Sequence, residues 1–280
     1  MSGVDFATIG PAILFCPADR PERFVKAAER ADAVILDLED AVLPAARPAA
    51  RAALLSNPLD PARTIVRVNP HGAPDHEADV EAAFSAGYRT IMLAKAESVR
   101  AVVALEERAA AGLGVIALCE TAAGVLAAPA LAAEPAVVGL MWGAEDLIAS
   151  LGGTSSRDES GRYRAVAVHA RSAVLLAAGA HGKAAIDAVH LSIDDVDGLE
   201  AEATDAAASG FRATACIHPS QVAVIRAAYV PSAAAVLAAR ELLRLAEKES
   251  GVFRYDGRMI DEPVLRHARA LLARAEQTVS

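Results

Sequence analysis

The sequence predicts an α/β fold in which eight parallel strands alternate with helices and close into a (β/α)8, or TIM-type, barrel. Eight short runs rich in β-branched residues recur at fairly even intervals, and helical patterns fill most of the gaps between them. Polar residues stand at or just beyond the C-terminal ends of most runs. The length of 280 residues is close to the roughly 250 typical of a single barrel of this kind.

The predicted strands are, in order, residues 13–16, 33–37, 64–68, 90–94, 115–119, 137–141, 185–189 and 213–217. The polar residues that follow or end them are Arg20, Glu39, Asp40, Arg67, Lys95, Glu120, Asp146, Asp187 and His218. In barrels of this type the active site forms at the C-terminal ends of the strands. We therefore expect these side chains to converge on one mouth.

The segments between and after these runs carry apolar or small residues at helical spacing, beginning with a helix whose first position is Pro21. The predicted helices cover residues 21–31, 76–86, 98–111, 122–133, 165–180, 199–209, 220–228 and 232–250. The segment 152–164 interrupts this rhythm because it is rich in Gly, Ser and charged residues. It is interpreted either as a mobile lid over the mouth or as a solvated insertion.

The tail has a different pattern. Residues 252–260 read as a hairpin with Asp256-Gly257 at its turn, and a helix over 262–276 follows. The sequence thus predicts a catalytic barrel over 1–250 and an extension over 251–280 that packs at a subunit interface.

Composition excludes several classes of function. The net charge is −9 and no basic stripe is present, so nucleic acid and anionic membrane surfaces are not expected partners. The three cysteines have no CxxC spacing, which favours buried reduced thiols. The first residues lack the pattern of a targeting segment, and no run of about 18 uncharged apolar residues occurs. A soluble, cytoplasmic protein is expected.

Two acidic residues indicate a metal site. Glu120 directly follows the fifth run, and Asp146 follows the sixth after a short loop. Carboxylates at adjacent strand ends can share one Mg2+, which commonly takes one or two protein carboxylates and leaves its other positions to water and substrate. The alternative is that each residue caps the helix that follows it. No set of Cys and His residues points to zinc.

Arg67 and the acids of the segment 37–41 form a second group. An inward-pointing guanidinium in a strand requires an anion, either a substrate carboxylate or enolate or an ion pair to Glu39, Asp40 or Glu120. We expect Glu39 and Asp40 to line the site and Asp37 to be structural.

Three further side chains have two interpretations each. Lys95 either orients a substrate carboxylate or forms a salt bridge in the rim. His218 is either a base or a hydrogen-bonded rim residue. Arg20, together with Arg23, either holds a phosphorylated handle such as coenzyme A or belongs to a solvated helix start.

The motifs of the chain, taken together in one order, resemble the citrate lyase beta-subunit-like branch of the HpcH/HpaI aldolase superfamily. They are LFCPADRPERF, AVILDLEDAV, IVRVNP, AKAES, VIALCETAAGV, GAEDL, IDAVHLSIDDVDGL, ACIHPSQV and DGRMIDEPVL. The resemblance spans nearly the whole chain. It implies a (β/α)8 barrel, commonly trimeric, that binds Mg2+ and cleaves C–C bonds of citryl, malyl or citramalyl thioesters.

The resemblance also implies roles for individual residues. The metal carboxylates correspond to Glu120 and Asp146, the substrate arginine to Arg67, and the catalytic acidic pair to Glu39 and Asp40. The resemblance further implies that Asp261 enters the site of a neighbouring subunit. From their positions in the sequence, Glu120, Arg20 and Lys95 are also expected to contact substrate. One departure is Ala18, which stands where the family motif often has glycine, and it leaves less room beside a coenzyme A thioester.

The implied reaction is a reverse Claisen cleavage that releases oxaloacetate or another keto acid and leaves an acetyl thioester on coenzyme A or an acyl carrier protein. The enzymatic alternatives are a stand-alone malyl-CoA or citramalyl-CoA lyase, a synthase or a thioesterase. A non-catalytic keto-acid-binding or assembly subunit is the alternative of a different class. A Schiff-base aldolase that uses Lys95 is a further alternative.

Overall fold

The computed structural model describes residues 3–109, 112–249 and 251–279. Eight parallel strands form a closed barrel in sequence order. They are β1 (Ala12–Pro17), β2 (Ala33–Asp37), β3 (Thr64–Val68), β4 (Thr90–Leu93), β5 (Gly114–Cys119), β6 (Val137–Trp142), β7 (Ala184–Asp187) and β8 (Ala213–Cys216). The strand β1 pairs in parallel with both β2 and β8 and so closes the ring. The predicted TIM-type barrel is confirmed, with strand bounds within about two residues of those expected from the sequence.

Helices follow most of the strands. The helices up to β8 are α1 (Phe24–Arg30), α2 (Arg47–Ser56), α3 (His76–Ser85), α4 (Val99–Arg108), α5 (Ala122–Ala133), α6 (Ala144–Ser150), α7 (Ala165–Ala180) and α8 (Val196–Ser209). Those after β8 are α9 (Pro219–Tyr229), α10 (Ala233–Ala246) and α11 (Glu262–Val279). The predicted helix ends at residues 111 and 250 lie outside the described residues.

The sequence analysis missed α2. Its buried face consists of two alanines and Leu54, so only one large apolar side chain marks that face, and Pro48 lies at its start. Residues 21–23, predicted as the first turn of α1, form a separate 3-10 turn before the α-helix begins at Phe24.

The barrel interior is filled by alternate residues of the strands, because successive side chains of a strand point to opposite faces. The inward set is mostly branched and aliphatic, and it includes Ile13, Ile35, Ile65, Met92, Ile116, Met141 and Ile186. Two residues that precede β1, Val4 and Phe6, belong to the same cluster. The interior is therefore a packed core, and the functional groups are left to the strand ends.

The chain divides into two compact units, Met1–Ile225 and Arg226–Ser280. The division between the two units therefore lies 25 residues before the predicted domain boundary at residue 250. Residue 250 lies outside the described residues. The physical reason for the earlier division is that α10 packs against α11, so α10 groups with the tail and not with the barrel.

The second unit contains α10, a hairpin and α11. The hairpin strands are β9 (Phe253–Tyr255) and β10 (Arg258–Ile260), which pair antiparallel. Asp256 and Gly257 both have positive φ, 47° and 74°, as a two-residue type I′ turn requires. The predicted hairpin turn is thus confirmed in this unit.

One stretch, Pro219–Ala246, is long and apolar enough by composition to cross a membrane, although only 22% of its apolar 18-residue segment is buried. It consists of α9 and α10, which are separated at Val230–Ser232 by a break containing Pro231. Neither helix has the roughly 20 residues that a span requires. The composition of this stretch is therefore weak grounds for a membrane segment.

Candidate functional site

The C-terminal rim of the barrel surrounds a cavity of about 220 Å³. Its polar lining comes from the ends of four strands or from the loops that follow them: Asp37, Arg67, Glu120, Glu145 and Asp146. Its apolar lining includes Phe15, Leu118, Met141 and Ile217. Of the nine polar residues that the sequence placed at strand ends, Arg67, Glu120 and Asp146 line this cavity.

Glu120 lies directly after β5 and is 3% exposed. Its Oε1 accepts a hydrogen bond of 3.1 Å from the backbone N–H of Lys95. Burial raises the pKa of the Glu120 carboxyl to about 8; the charge of Asp146 adds to this effect, and Arg67 and Lys95 oppose it. The helix cap of α5 is Thr121, whose hydroxyl accepts from the Gly124 N–H at 3.0 Å. The capping interpretation of Glu120 is therefore wrong.

Asp146 belongs to the first turn of α6, and about a third of its side chain is exposed. The preceding Gly143 lets the end of β6 approach Glu120, because a Cβ atom at residue 143 would lie 2.9 Å from the Glu120 Cβ. Asp146 Oδ1 and Glu120 Oε1 lie 3.3 and 3.9 Å from the same atom, Lys95 Nζ. The two carboxylates are thus within reach of one cation.

Arg67 is held by a carboxylate that the sequence analysis did not assign to it. Its Nε and Nη2 donate to the two oxygens of Asp37 at 2.7 and 2.6 Å, and its Nη1 lies 3.0 Å from Glu39 Oε2. Its guanidinium also lies 5.0 Å from the centre of the Phe15 ring. Burial alone would lower the pKa of Arg67, but Asp37 and Glu39 outweigh that effect and raise it. Arg67 is therefore a permanent cation in the cavity wall.

Asp37 has the structural role that the sequence predicted. It is fully buried, and besides Arg67 it accepts from the backbone N–H groups of Glu39 and Ala41 at 2.9 and 3.1 Å. Glu39 is also buried, and burial raises its pKa despite the opposing charges of Arg67 and Lys95. Asp40 is half-exposed and lies 3.3 Å from Lys95 Nζ. Glu39 therefore contacts both Arg67 and Lys95, and Asp40 contacts Lys95.

A second cavity of about 440 Å³ adjoins the first, since Phe15 and Ile217 line both. Its lining includes three basic residues, Arg23, Lys26 and Arg30. Arg20 is not part of that lining; its side chain is 56% exposed and lies 3.7 Å from Asp19. The electropositive character that the sequence predicted after β1 thus rests on Arg23 and on α1.

His218 also lines the second cavity and is not part of the lining of the first. Its Nδ1 lies 2.7 Å from the Ser220 hydroxyl. The rim interpretation of His218 fits this geometry, because its nearest polar partner is a neighbouring hydroxyl of α9.

Trp142 and its partners are a feature that the sequence analysis missed. The indole N–H donates to Asp187 at 2.6 Å, and Asp187 also accepts from Arg171 of α7 at 2.8 Å. This network fixes the end of β6, from which the loop to Asp146 begins. The only signals in the sequence were the single tryptophan and the position of Asp187 at a strand end.

The segment 152–164 is tied to the same region. The Tyr163 ring packs edge-on against Trp142, with ring centres 5.2 Å apart, and Ser156 Oγ donates to Glu145 at 2.5 Å. Arg157 lies over the Tyr163 ring and pairs with Glu202. Motion of this segment as a lid stays a prediction, because in this conformation side-chain contacts fasten it beside the cavity.

Asp261 lies in the second unit, immediately before α11. Its Oδ1 accepts from the Val264 N–H at 3.3 Å, and its carbonyl accepts from the Leu265 N–H at 3.1 Å. Within its own unit it caps a helix, so its predicted role in the site of a neighbouring subunit stays a prediction.

Known proteins resemble this chain over almost its full length. A family model described as HpcH/HpaI aldolase/citrate lyase matches residues 12–219. A citrate lyase subunit beta-like protein of Mycobacterium tuberculosis is 55% identical over 271 residues, 97% of each chain. A (3S)-malyl-CoA thioesterase of Cereibacter sphaeroides is 34% identical over 278 residues, 95% of this chain and 94% of the relative.

The same similarity holds in three dimensions. The crystal structure of the CitE protein of Mycobacterium tuberculosis in complex with magnesium, acetoacetate and coenzyme A matches with a TM-score of 0.92 and 55% identity. The match covers 96% of this chain and 99% of that one. These findings confirm the resemblance that the motifs predicted.

Proposed function

This chain belongs to the HpcH/HpaI aldolase/citrate lyase family, and we propose that it is a Mg2+-dependent carbon–carbon lyase. Its substrate would be a citryl or related 3-hydroxyacyl thioester, and its products a keto acid and an acyl thioester. The observation that carries the proposal is that the carboxylates of Glu120 and Asp146 both approach one cation, the ammonium of Lys95. The cavity that they line also contains Arg67.

Glu120 and Asp146 are the residues that would hold Mg2+. Their oxygens are hard donors, and the ammonium of Lys95 already marks a position where a cation interacts with both. The described residues contain no group of three His, Cys, Asp or Glu arranged around a metal, so two carboxylates plus water and substrate is the fitting ligand set. When bound, the ion would lower the pKa of a substrate hydroxyl and polarise its oxygens.

Arg67 would stabilise the charge that the cleavage creates. In a reverse Claisen reaction the 3-hydroxyl gives its proton to a base and becomes the carbonyl of the keto acid as the C2–C3 bond breaks. The electron pair of that bond moves onto the thioester carbonyl oxygen as an enolate. The Asp37 pair uses one N–H of Arg67 Nη2, which has a second N–H available for that oxygen. Glu39 and Asp40 were predicted to be catalytic. Their ion pairs with Arg67 and Lys95 indicate that they would hold these two side chains in position.

The thioester carrier would lie in the second cavity. Arg23, Lys26 and Arg30 offer three cations to the phosphates of coenzyme A or of an acyl carrier protein. Arg20 is exposed and able to join them, as its position after β1 predicted. The crystal structure of the related CitE protein contains coenzyme A together with magnesium and acetoacetate, which supports coenzyme A as the thioester carrier.

We also propose a homo-oligomer, a trimer as the resemblance implies, in which Asp261 of one subunit protonates C2 in the site of another. Mixed oligomers of Asp261→Asn and Arg67→Ala subunits should recover part of the wild-type activity, because some sites then contain neither substitution. Each variant alone should be inactive, and its oligomeric state is checked by light scattering. Inactive mixtures in which subunit exchange is verified would exclude Asp261 from the neighbouring site.

The proposed reaction is tested by incubating the purified protein with Mg2+ and a panel of citryl-, malyl- and citramalyl-CoA. A lyase releases a keto acid and no free thiol. A thioesterase, the second candidate because of the 34% identical relative, releases coenzyme A thiol and a hydroxy acid. Tight binding of keto acid without turnover of any thioester would instead favour a non-catalytic subunit and contradict the proposal.

A further inference from the structure

Lys95 has an unusual backbone conformation at the centre of the site. Its φ is 47°, and among the described residues only one other non-glycine, Asp256 in the hairpin turn, has positive φ. Such a conformation is unfavourable for a side chain with a Cβ atom and persists only where surrounding contacts enforce it. At Lys95 one such contact is the hydrogen bond from its own N–H to Glu120.

The side chain of Lys95 is the shared counterion of four carboxylates. Its Nζ lies 2.5 Å from Glu39, 3.3 Å from Asp40, 3.9 Å from Glu120 and 3.3 Å from Asp146. The first pair follows β2, and the other two residues follow β5 and β6. Only about a quarter of the Lys95 side chain is exposed, so water screens these interactions incompletely.

Resting on the proposed function, we propose that Lys95 is an internal competitor of the divalent cation and sets the affinity of the site for Mg2+. The ammonium approaches the two carboxylates that would ligate the metal, and two cations this close repel each other. Metal binding therefore requires the ammonium to withdraw from Glu120 and Asp146. Glu39, its closest partner, keeps it in the site after it withdraws.

This arrangement has a consequence for specificity among cations. A monovalent ion offers Glu120 and Asp146 no more charge than the ammonium that is already there, whereas a divalent ion does. Lys95 thus acts as a specificity-determining residue that excludes weakly charged competitors from the site.

The test measures Mg2+ binding to the metal-free protein by titration calorimetry, without substrate. Lys95→Met removes the charge and keeps a side chain of similar length, and Lys95→Gly also removes the backbone strain. Both variants should bind Mg2+ at least tenfold more tightly than the wild type. The matched control is Lys183→Met, because Lys183 donates to the Glu134 carbonyl, outside the lining of the cavity, and its loss should leave the affinity unchanged.

A purely supportive role for Lys95 predicts the opposite change in Mg2+ affinity or no change. If Lys95 only holds the carboxylates in place, both would bind Mg2+ with equal or lower affinity than the wild type, and the proposal would be overturned. Because loss of the ammonium can lower the melting temperature of the metal-free protein, the rise in melting temperature with Mg2+ is measured too, and it should be larger in both variants. A wild type that does not bind Mg2+ would instead refute the proposed function itself.

Discussion

Glu120→Gln is expected to weaken Mg2+ binding by at least about 100-fold and to abolish the proposed lyase activity, while the protein still folds. The amide has nearly the shape of the carboxyl but no charge, and Mg2+ depends on charged oxygen donors. The fold should tolerate the change because Glu120 is a buried acid whose pKa is raised to about 8. A neutral group suits that environment at least as well.

The raised pKa gives this prediction a second readout. Without metal, the folded protein holds the Glu120 proton up to about pH 8, whereas the unfolded chain releases it near the ordinary value of 4.5. The folded state binds more protons across this window, so the free energy of unfolding of the wild type should fall as pH rises from about 5 to 8. In Glu120→Gln this contribution disappears, and urea unfolding at a series of pH values would reveal the difference.

Two neighbouring carboxylates serve as comparisons for Glu120. Asp146→Asn should also lose Mg2+ binding, because Asp146 lies 3.3 Å from Lys95 Nζ at the proposed cation position. Glu145→Gln should keep Mg2+ binding, because the Glu145 carboxylate accepts a hydrogen bond from the Ser156 hydroxyl instead. A Glu120→Gln protein that binds Mg2+ with wild-type affinity would remove the metal from the proposed site.

The sequence predicted the barrel and its rim because both follow from simple periodicity. Strand runs and helices alternate along the chain, and the parallel order places every C-terminal strand end on one side. The strand pattern alone therefore predicted that Glu120, Asp146 and Arg67 lie at the C-terminal rim of the barrel. The resemblance of the motifs then supplied the chemistry that position alone does not specify.

The features that the sequence did not predict depend on contacts between elements that are distant along the chain and on local backbone conformation. Asp37 was expected to be structural, but its bidentate contact with Arg67 arises from the pairing of β2 with β3, in which these two residues are partners. The left-handed conformation of Lys95 likewise has no sequence signature, because lysine rarely adopts it. The division of the chain into compact units after Ile225, before the predicted boundary at residue 250, follows from the packing of α10 on α11, two amphipathic helices separated by a hairpin.

Arg67→Met is expected to have the largest combined effect on activity and stability. It removes the cation that faces the cavity, and catalysis should fall by about 10²–10³-fold even at saturating Mg2+, as when a donor to a developing oxyanion is lost. It also leaves Asp37 and Glu39 buried without the guanidinium. Breaking a buried pair in this way destabilises a protein by about 3–5 kcal/mol, which urea unfolding would detect.

Two further variants separate these effects. Arg67→Lys keeps the charge but loses the planar fork that contacts both oxygens of Asp37, so it should recover part of the stability and little of the turnover. The double variant Asp37→Asn/Arg67→Met removes the most buried of the unpaired charges and should regain at least half of the lost stability without regaining activity. If Arg67→Met instead turned over the thioester at the wild-type rate, Arg67 would be only a structural counterion of Asp37, and the charge developing on the thioester oxygen would have to be stabilised by another group.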